Sequence, residues 1–238
     1  MKRWFRGSIL LVVVVLAIPA ILPAQEFRSV EINPFIAGTA HTKNQYEIAF
    51  PQAATPVPMQ FRLDDTLRGG LRVNVNTTGH WGEEFFFSYE PNNARFIRKT
   101  SPEVKVDYDI RVFNFGLNAM YYLNEEESRK TRPFVSLGVG GTLYQPTARA
   151  RIKAQDPLRG NLPGFESSAE LALNYGVGFK TNLTPTFGFR MDMRGFVGRN
   201  PSFGLPRSST DANAVVFPAN GAIHGLEASA GFIIKLRK

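Results

Sequence analysis

The chain has 238 residues, with 28 Lys and Arg against 20 Asp and Glu, which gives a net charge of +8 and an isoelectric point near 9.9. It contains no cysteine, which excludes disulfides, zinc–thiolate centres and thiol nucleophiles. Beyond residue 24, no apolar run is long enough for a membrane-spanning helix. A membrane location of this part of the chain would therefore require a closed β-barrel.

Residues 1–24 have the layout of a secretory signal peptide. Lys2, Arg3 and Arg6 precede an apolar run that begins at Ile9, and small residues and prolines follow as far as Ala24. An uncleaved membrane anchor is the alternative interpretation. We predict that residues 25–238 are exported as one domain, and export argues against nucleic acid as a partner despite the basic charge.

Eight segments after the signal alternate between apolar and polar residues, as expected of β-strands. The predicted strands are residues 30–42, 70–79, 82–91, 104–123, 133–145, 169–183, 187–199 and 223–236. The connections between them alternate in length, from long (43–69, 92–103, 146–168 and 200–222) to short (80–81, 124–132 and 184–186). This pattern predicts an all-β fold, an eight-stranded antiparallel up-and-down transmembrane β-barrel whose short turns and chain ends share one side.

The alternation also separates two faces of the predicted barrel. The apolar face would meet lipid, and the polar face would fill the lumen. The predicted polar network of the interior consists of Glu31, Arg72, Glu84, Glu90, Lys180, Arg190, Asp192, Arg194, Glu227 and Lys235. Eight strands enclose a bore that side chains can fill, and buried opposite charges should pair, so a structural role is favoured over a narrow gated ion path.

Two further features refine this prediction. In the segment 104–123 the apolar residues shift from even to odd positions at Val112–Phe113, which predicts a β-bulge there, with residues 104–111 projecting above the membrane. Aromatic residues near strand ends are expected to form girdles at the membrane interfaces. These are Trp81, Tyr89, Tyr121, Tyr122, Tyr144 and Phe187.

With this pattern, the chain resembles the small eight-stranded outer-membrane barrels of Gram-negative bacteria, the OmpA/OmpX-like and OmpW-like proteins. Ser229, Gly231, Ile234 and Leu236 fit the assembly signal of the last strand in that family, although the usual final aromatic residue is absent. The resemblance implies that periplasmic chaperones and the outer-membrane insertion machinery are partners.

No catalytic, metal or cofactor site is predicted. His41, His80 and His224 lack the partner groups that an acyl-transfer or hydrolytic site needs, so the chain is expected not to be an enzyme. Phosphates of lipopolysaccharide are candidate partners of a basic loop that contains Arg149, Arg151, Lys153 and Arg159.

The expected function is a structural or surface-interaction role through the outer loops of a monomer in the outer membrane. Three alternatives remain open at this point. They are a narrow channel or carrier for small solutes, a lipid-modifying enzyme, and a soluble lipocalin-like barrel whose lumen would be apolar and whose outside would be polar.

Overall fold

The computed structural model describes residues 27–48, 57–77, 79–98, 104–125, 130–156, 162, 164–211, 214–217 and 221–237, so the predicted signal peptide lies outside the described residues. Within these ranges the chain forms ten strands and one short helix. They are β1 (Phe27–His41), β2 (Asn44–Ile48), β3 (Val57–Leu63), β4 (Thr66–Thr77), β5 (Trp81–Arg98), β6 (Val104–Tyr122), β7 (Thr131–Pro146), α1 (Ala148–Gln155), β8 (Ser168–Asn182), β9 (Phe187–Arg199) and β10 (Ala222–Arg237). No helix in the described ranges is long and apolar enough to cross a membrane.

Eight of the strands close into a barrel. Their order is β1-β4-β5-β6-β7-β8-β9-β10, every neighbouring pair is antiparallel, and β10 pairs with β1 to complete the ring. The short turns β4–β5, β6–β7 and β8–β9 lie at one end together with both ends of the described chain. The tightest turns use local chemistry, since Gly79 has a φ of +83° and the Thr184 hydroxyl accepts from the Phe187 amide at 2.9 Å. The predicted fold class is confirmed.

The outward face of the barrel is apolar and exposed. Leu137 and Leu171 expose 67% and 72% of their surface, whereas the inward Glu84 exposes 0%. A continuous exposed apolar band around a closed barrel with a polar interior is typical of contact with lipid. This arrangement is the reverse of the one expected of a soluble lipocalin-like barrel.

The first long connection contains a hairpin that the sequence did not predict. Strand β3 pairs with the far end of β5, from Met59 opposite Arg98 to Leu63 opposite Ala94, and β2 pairs with β3. Strand β4 also begins earlier than predicted, at Thr66. Strand β2 has only five residues, too few for its alternation to stand out from the surrounding loop.

The predicted bulge at Val112–Phe113 is wrong. Strand β6 pairs with β5 without a register shift from Val104 opposite Arg98 to Tyr121 opposite Trp81. Even-numbered residues face inward along the whole strand, from Tyr108 to Met120. The inward face changes from apolar to polar along β6, and that change of chemistry produced the apparent phase shift.

The larger apolar cluster of the interior belongs to a compact cap at the loop end of the barrel, and a smaller one of Met120, Tyr122 and Phe134 lies near the short turns. The cap consists of β2, β3, α1, the upper parts of β5 and β6 (residues 94–98 and 104–112), and the described parts of 162–167 and 200–223. Its core contains Phe61, Phe96, Tyr108, Phe165, Phe203 and Phe217, all 3% exposed or less. Phe203 has a φ of +52° and stacks on Phe165 with ring centroids 4.7 Å apart. Burial of this ring offsets the cost of its left-handed backbone.

Two of the predicted girdle residues are placed differently by the structure. Tyr122 and Tyr144 face inward and are 0% and 4% exposed, so they do not contribute to the interfacial girdles. Trp81, Tyr121 and Phe187 face outward near strand ends, whereas Tyr89 faces outward in the middle of β5. Both misplaced tyrosines occupy even positions of continuous strands, which the position of an aromatic near a strand end does not reveal.

Candidate functional site: a charged layer across the lumen

A layer of buried charges crosses the barrel lumen at mid-height. We call it the charged layer, and it consists of Arg68, Arg72, Glu84, Glu90, Arg190, Asp192, Arg194 and Glu227. Each of these residues is 4% exposed or less. Each of these residues occupies an inward position of its strand. The side chains therefore point from β4, β5, β9 and β10 toward one another across the bore.

Two carboxylates hold the centre of the charged layer. Glu84 accepts from Arg190 and from Arg194, each at 2.7 Å. Asp192 lies 2.8 Å from Arg190, 2.9 Å from Arg194 and 3.0 Å from Arg72. An unpaired buried charge is very costly, so each carboxylate offsets the desolvation of at least two guanidinium groups.

The charged layer continues toward the cap through Glu227 and Glu90. Glu227 accepts from Arg68 and Arg72, both at 2.8 Å. Arg68 also donates to Glu90 at 2.5 Å, and His41 Nε2 lies 3.0 Å from the same carboxylate. The chain of ion pairs therefore spans the lumen from β5 to β10.

A second group of charges, the lower group, lies closer to the short turns. Lys180 binds Glu31 at 2.9 Å, and Lys235 lies 3.8 Å from the same carboxylate. The Arg132 guanidinium stacks 3.9 Å from the Tyr122 ring centroid and donates to the Gly79 carbonyl at 3.2 Å. Together these side chains close the turn end of the lumen.

The ten residues of the predicted polar network all lie on the inward face, seven in the charged layer and three in the lower group. Their ion pairs join them into these two sets, and Asn74 and Asn76 extend the hydrogen bonding between them. Sequence reasoning missed Arg68, Arg132 and His41. Strand β4 begins four residues earlier than predicted, and Arg68 is one of those four residues. Arg132 lies just before residue 133, where β7 was predicted to begin.

Little space remains inside the barrel above the charged layer. A cavity of about 20 Å³ lies between this layer and the cap, lined by His41, Arg68, Asn114, Thr142 and Tyr144 among others. Such a volume is about that needed for one water molecule. Aromatic rings fill the lumen between the charges. One of them is Phe35, whose ring centroid lies 3.6 Å from the central carbon of the Arg72 guanidinium.

The predicted assembly signal lies on β10. Ser229 and Gly231 face inward, and Ile234 and Leu236 face outward with exposed side chains. A Cβ on Gly231 would stand 2.4 Å from the Pro34 carbonyl oxygen and 2.7 Å from the Asn33 amide nitrogen. Close approach of β10 to β1 therefore requires glycine at this position, where the barrel closes.

The remaining sequence candidates do not form a site with one another. His80 stacks on Tyr121 at the turn end, and His224 lies exposed at the loop end. Of the predicted basic loop, Arg149, Arg151 and Lys153 lie on α1, and Arg159 lies outside the described residues. In the described parts of the chain, no cluster of three or more His, Asp or Glu side chains could hold a metal ion.

Known structures with the same architecture are outer-membrane barrels. The crystal structure of the outer membrane protein OprG from Pseudomonas aeruginosa aligns with a TM-score of 0.58 and 18% identity, over 90% of this chain and 98% of that one. The solid-state NMR structure of outer membrane protein AlkL in lipid bilayers aligns with a TM-score of 0.50 and 16% identity, over 91% and 94%. At these identities the likeness shows the fold alone.

Sequence comparison gives a family but no individual relative. No curated protein sequence matches the chain significantly. The family model described as the outer membrane protein beta-barrel domain matches residues 8–216, most of the chain. With its closed eight-stranded barrel and apolar outer band, the chain belongs to the outer membrane protein beta-barrel domain family.

Proposed function

We propose that this protein is a non-catalytic, monomeric outer-membrane protein that acts through the surface of its cap, while the barrel serves as a sealed anchor. The observation that carries the proposal is the charged layer. Its eight charged side chains fill the lumen, with ion pairs of 2.5–3.0 Å along the whole chain of contacts. An eight-stranded bore filled in this way leaves no open path for solutes.

The organisation of the cap supports the same proposal. A barrel that only sealed itself would need no apolar core above the membrane. Here the connections at the loop end pack around Phe61, Phe96 and Phe203, which are 0%, 2% and 0% exposed. Such a core holds the surrounding loops in one conformation, as a surface for binding requires.

Recording the current across planar bilayers that contain the purified full-length chain tests the sealed anchor. We expect no discrete conductance from the wild type. The variant Glu84→Gln, which removes the carboxylate between Arg190 and Arg194, serves as the comparison because it loosens the charged layer without changing the wall. A steady single-channel conductance of the wild type would contradict the proposal.

The predicted partners form part of the proposal. We propose that residues 1–24 are cleaved on export, that periplasmic chaperones and the insertion machinery read the signal on β10, and that Arg149, Arg151 and Lys153 contact lipopolysaccharide phosphates. In support, Arg149 is exposed on α1. Lys153 is less available, because its ammonium donates to the Asp107 carbonyl at 2.5 Å.

A second candidate function is a carrier for small hydrophobic solutes. The space between the charged layer and the cap, which we call the upper lumen, is lined partly by apolar side chains such as Val112 and Ile223. The barrel wall beside it has a seam, formed by residues 64–68 and 90–93, where β5 leaves β4 and begins to pair with β3. The Asn92 side chain bridges the seam through two hydrogen bonds of 2.9 Å with the Asp64 backbone. The Asp64 amide also donates to the Asn93 carbonyl and the Thr66 hydroxyl to the Pro91 carbonyl, both at 3.3 Å. Opening of the seam would connect the upper lumen with lipid.

Uptake of a hydrophobic fluorescent dye by cells that express the chain would separate the two candidates. A carrier would speed dye entry, and Val112→Trp, inside the upper lumen, would abolish the gain while the outward Phe113→Trp would retain it. A sealed anchor predicts the same slow entry for all three proteins.

A further inference from the structure

The lipid-facing wall of the barrel carries a groove between β4 and β8. Its volume is about 820 Å³, and it adjoins a second groove of about 590 Å³ with which it shares Gly38, Leu67, Val177, Met193 and Ala228. Both volumes lie in the range of sites that hold small ligands. The lining consists mainly of apolar side chains and strand backbone, with the polar Asp65 and Thr66 at its loop end.

Small outward residues form the floor of this groove. Gly38 and Ala40 on β1 lie beside Ala228 and Ala230 on β10, because Gly38 is opposite Ala228 in the register of the two strands. Large side chains stand on both sides, with Leu67 on β4 and Met193 on β9. A Cβ placed on Gly38 would have no atom within 4 Å, so the absence of a side chain there leaves open space.

Two cationic side chains, Arg199 and Lys43, and the imidazole of His224 lie at the loop end of the groove. His224 lies two residues above Leu226, a lining residue, which corresponds to about 7 Å along β10. Arg199 ends β9, and Lys43 lies in the two-residue connection between β1 and β2. All three are exposed, and among the described residues neither Arg199 nor Lys43 has an ion pair. The exposed Asp65 of the groove lining lies at the same end, but Arg199 and Lys43 outnumber it, so the rim carries more positive than negative charge.

We propose that this groove binds lipopolysaccharide of the outer leaflet, with acyl chains along Gly38 and Ala228 and a phosphate of its lipid A at Arg199, His224 and Lys43. The groove faces hydrocarbon, so its occupant must be apolar at this depth, and the rim adds a preference for negative charge at the height of the headgroups. The site is separate from α1, which packs on β6 and β7 across the barrel.

The rim charge also argues against a second copy as the occupant. Two barrels related by a two-fold axis along the membrane normal would bring their rims together at the same height. Arg199 and Lys43 of both copies would then face each other, and the exposed Asp65 of each copy would offset only part of this repulsion. The inference rests on the outer-membrane location and is independent of whether the cap or the lumen performs the function.

Titration of the folded full-length chain in detergent with hexa-acylated lipid A, followed by native mass spectrometry, tests the site. The variant Gly38→Leu/Ala228→Leu fills the groove with apolar side chains, and we expect about tenfold weaker binding. Arg199→Glu should weaken binding by about fivefold through the headgroup alone. The matched control is Ala119→Leu, an exposed outward alanine on β6, which should bind like the wild type.

Several results would overturn the assignment. Equal binding by Gly38→Leu/Ala228→Leu and Ala119→Leu would exclude the groove. Equal binding of phosphatidylglycerol and lipid A by the wild type would exclude lipopolysaccharide as the specific occupant. A wild-type dimer that Gly38→Leu/Ala228→Leu dissociates would identify a second copy instead. A mobility shift on heating checks folding, and Arg199→Glu keeps the test valid if the double variant does not fold.

Discussion

Strands β5 and β6 pass through two regions of the molecule that are built in opposite ways. In the barrel their inward residues are polar, such as Glu84 and Asn118, and outward residues such as Leu117 are apolar. In the cap the inward residues are apolar, such as Phe96 and Ile110, and the outward ones are charged, such as Asp107. The backbone register runs unbroken between the two regions.

The difference follows from the solvent on the outward side. Water surrounds the cap, so burial of apolar side chains drives its folding in the ordinary way. Lipid surrounds the barrel, and lipid tails are as apolar as a leucine side chain, so an apolar lumen would gain little from burial. Ion pairs and hydrogen bonds then provide the interactions that hold the lumen together. Variants of either region can test this comparison.

The largest expected effect belongs to the charged layer. Glu84→Gln removes the negative charge that pairs with Arg190 and Arg194, and an uncompensated buried charge costs about 3–5 kcal/mol. The free energy of unfolding in urea, measured in lipid vesicles, should fall by this amount. The matched control is Glu83→Gln, whose side chain points outward from the same strand, and it should change stability little. An equal loss in both variants would contradict a stabilising role of the layer.

In the cap, Phe203→Ala should lower the free energy of local unfolding by about 3–5 kcal/mol, because it removes a fully buried ring from the aromatic core. Proteolysis of the loops should become faster while the barrel keeps its mobility shift on heating. Ile152→Ala, which truncates a side chain 72% exposed on α1, should leave proteolysis unchanged. Loss of the heat-dependent shift in Phe203→Ala would show that the two regions do not fold as separable units.

A smaller effect is expected at the seam between the regions. Asn92→Ala leaves the Asp64 backbone groups without their side-chain partners, at a cost of about 1–3 kcal/mol. Hydrogen exchange at the Asp64 amide should become faster. Asn93→Ala removes only a 3.4 Å contact to the Asp64 carboxylate and should leave that exchange rate close to the wild-type value. Unchanged exchange in Asn92→Ala would mean that other contacts close the wall.

The smallest effect concerns pH. Burial in the cap, with the Asp156 carboxylate nearby, raises the pKa of Tyr108 to about 12. The unfolded chain releases this proton first, near its ordinary value of 10.0, so the stability of the cap should fall as the pH rises between about 10 and 12. Tyr108→Phe should remove that part of the pH dependence, as followed by loop proteolysis. A pH profile identical to the wild type would exclude Tyr108 as its source.

Much of the barrel could be predicted from the sequence, because a period of two over long strands identifies both strands and faces. The inward position of Arg72, Arg190 and Glu227 follows from that alternation alone. Arg68 and Arg132 could not be recovered in the same way, since both lie at strand ends where turn signals are stronger than alternation.

The cap was largely beyond sequence reasoning. Alternation shows that two faces differ but not which solvent lies on either side, so the inverted pattern of residues 104–112 resembled a change of register. The core around Phe61, Phe165 and Phe203 joins distant segments, since Phe61 and Phe203 are more than 140 residues apart. No local sequence pattern predicts such contacts. The positive φ of Phe203 is likewise set by tertiary packing.

The most direct test places single spin labels on the outward face of β6 in the full chain reconstituted in lipid vesicles, which the absence of cysteine makes straightforward. Labels at positions 105, 107, 109 and 111 should be accessible to a water-soluble nickel reagent. Labels at 113, 115, 117 and 119 should instead be accessible to oxygen dissolved in lipid. A sharp change from nickel access to oxygen access between Arg111 and Phe113, on one continuous face, would support the two-region account. Uniform access of the nickel reagent along β6 would contradict it.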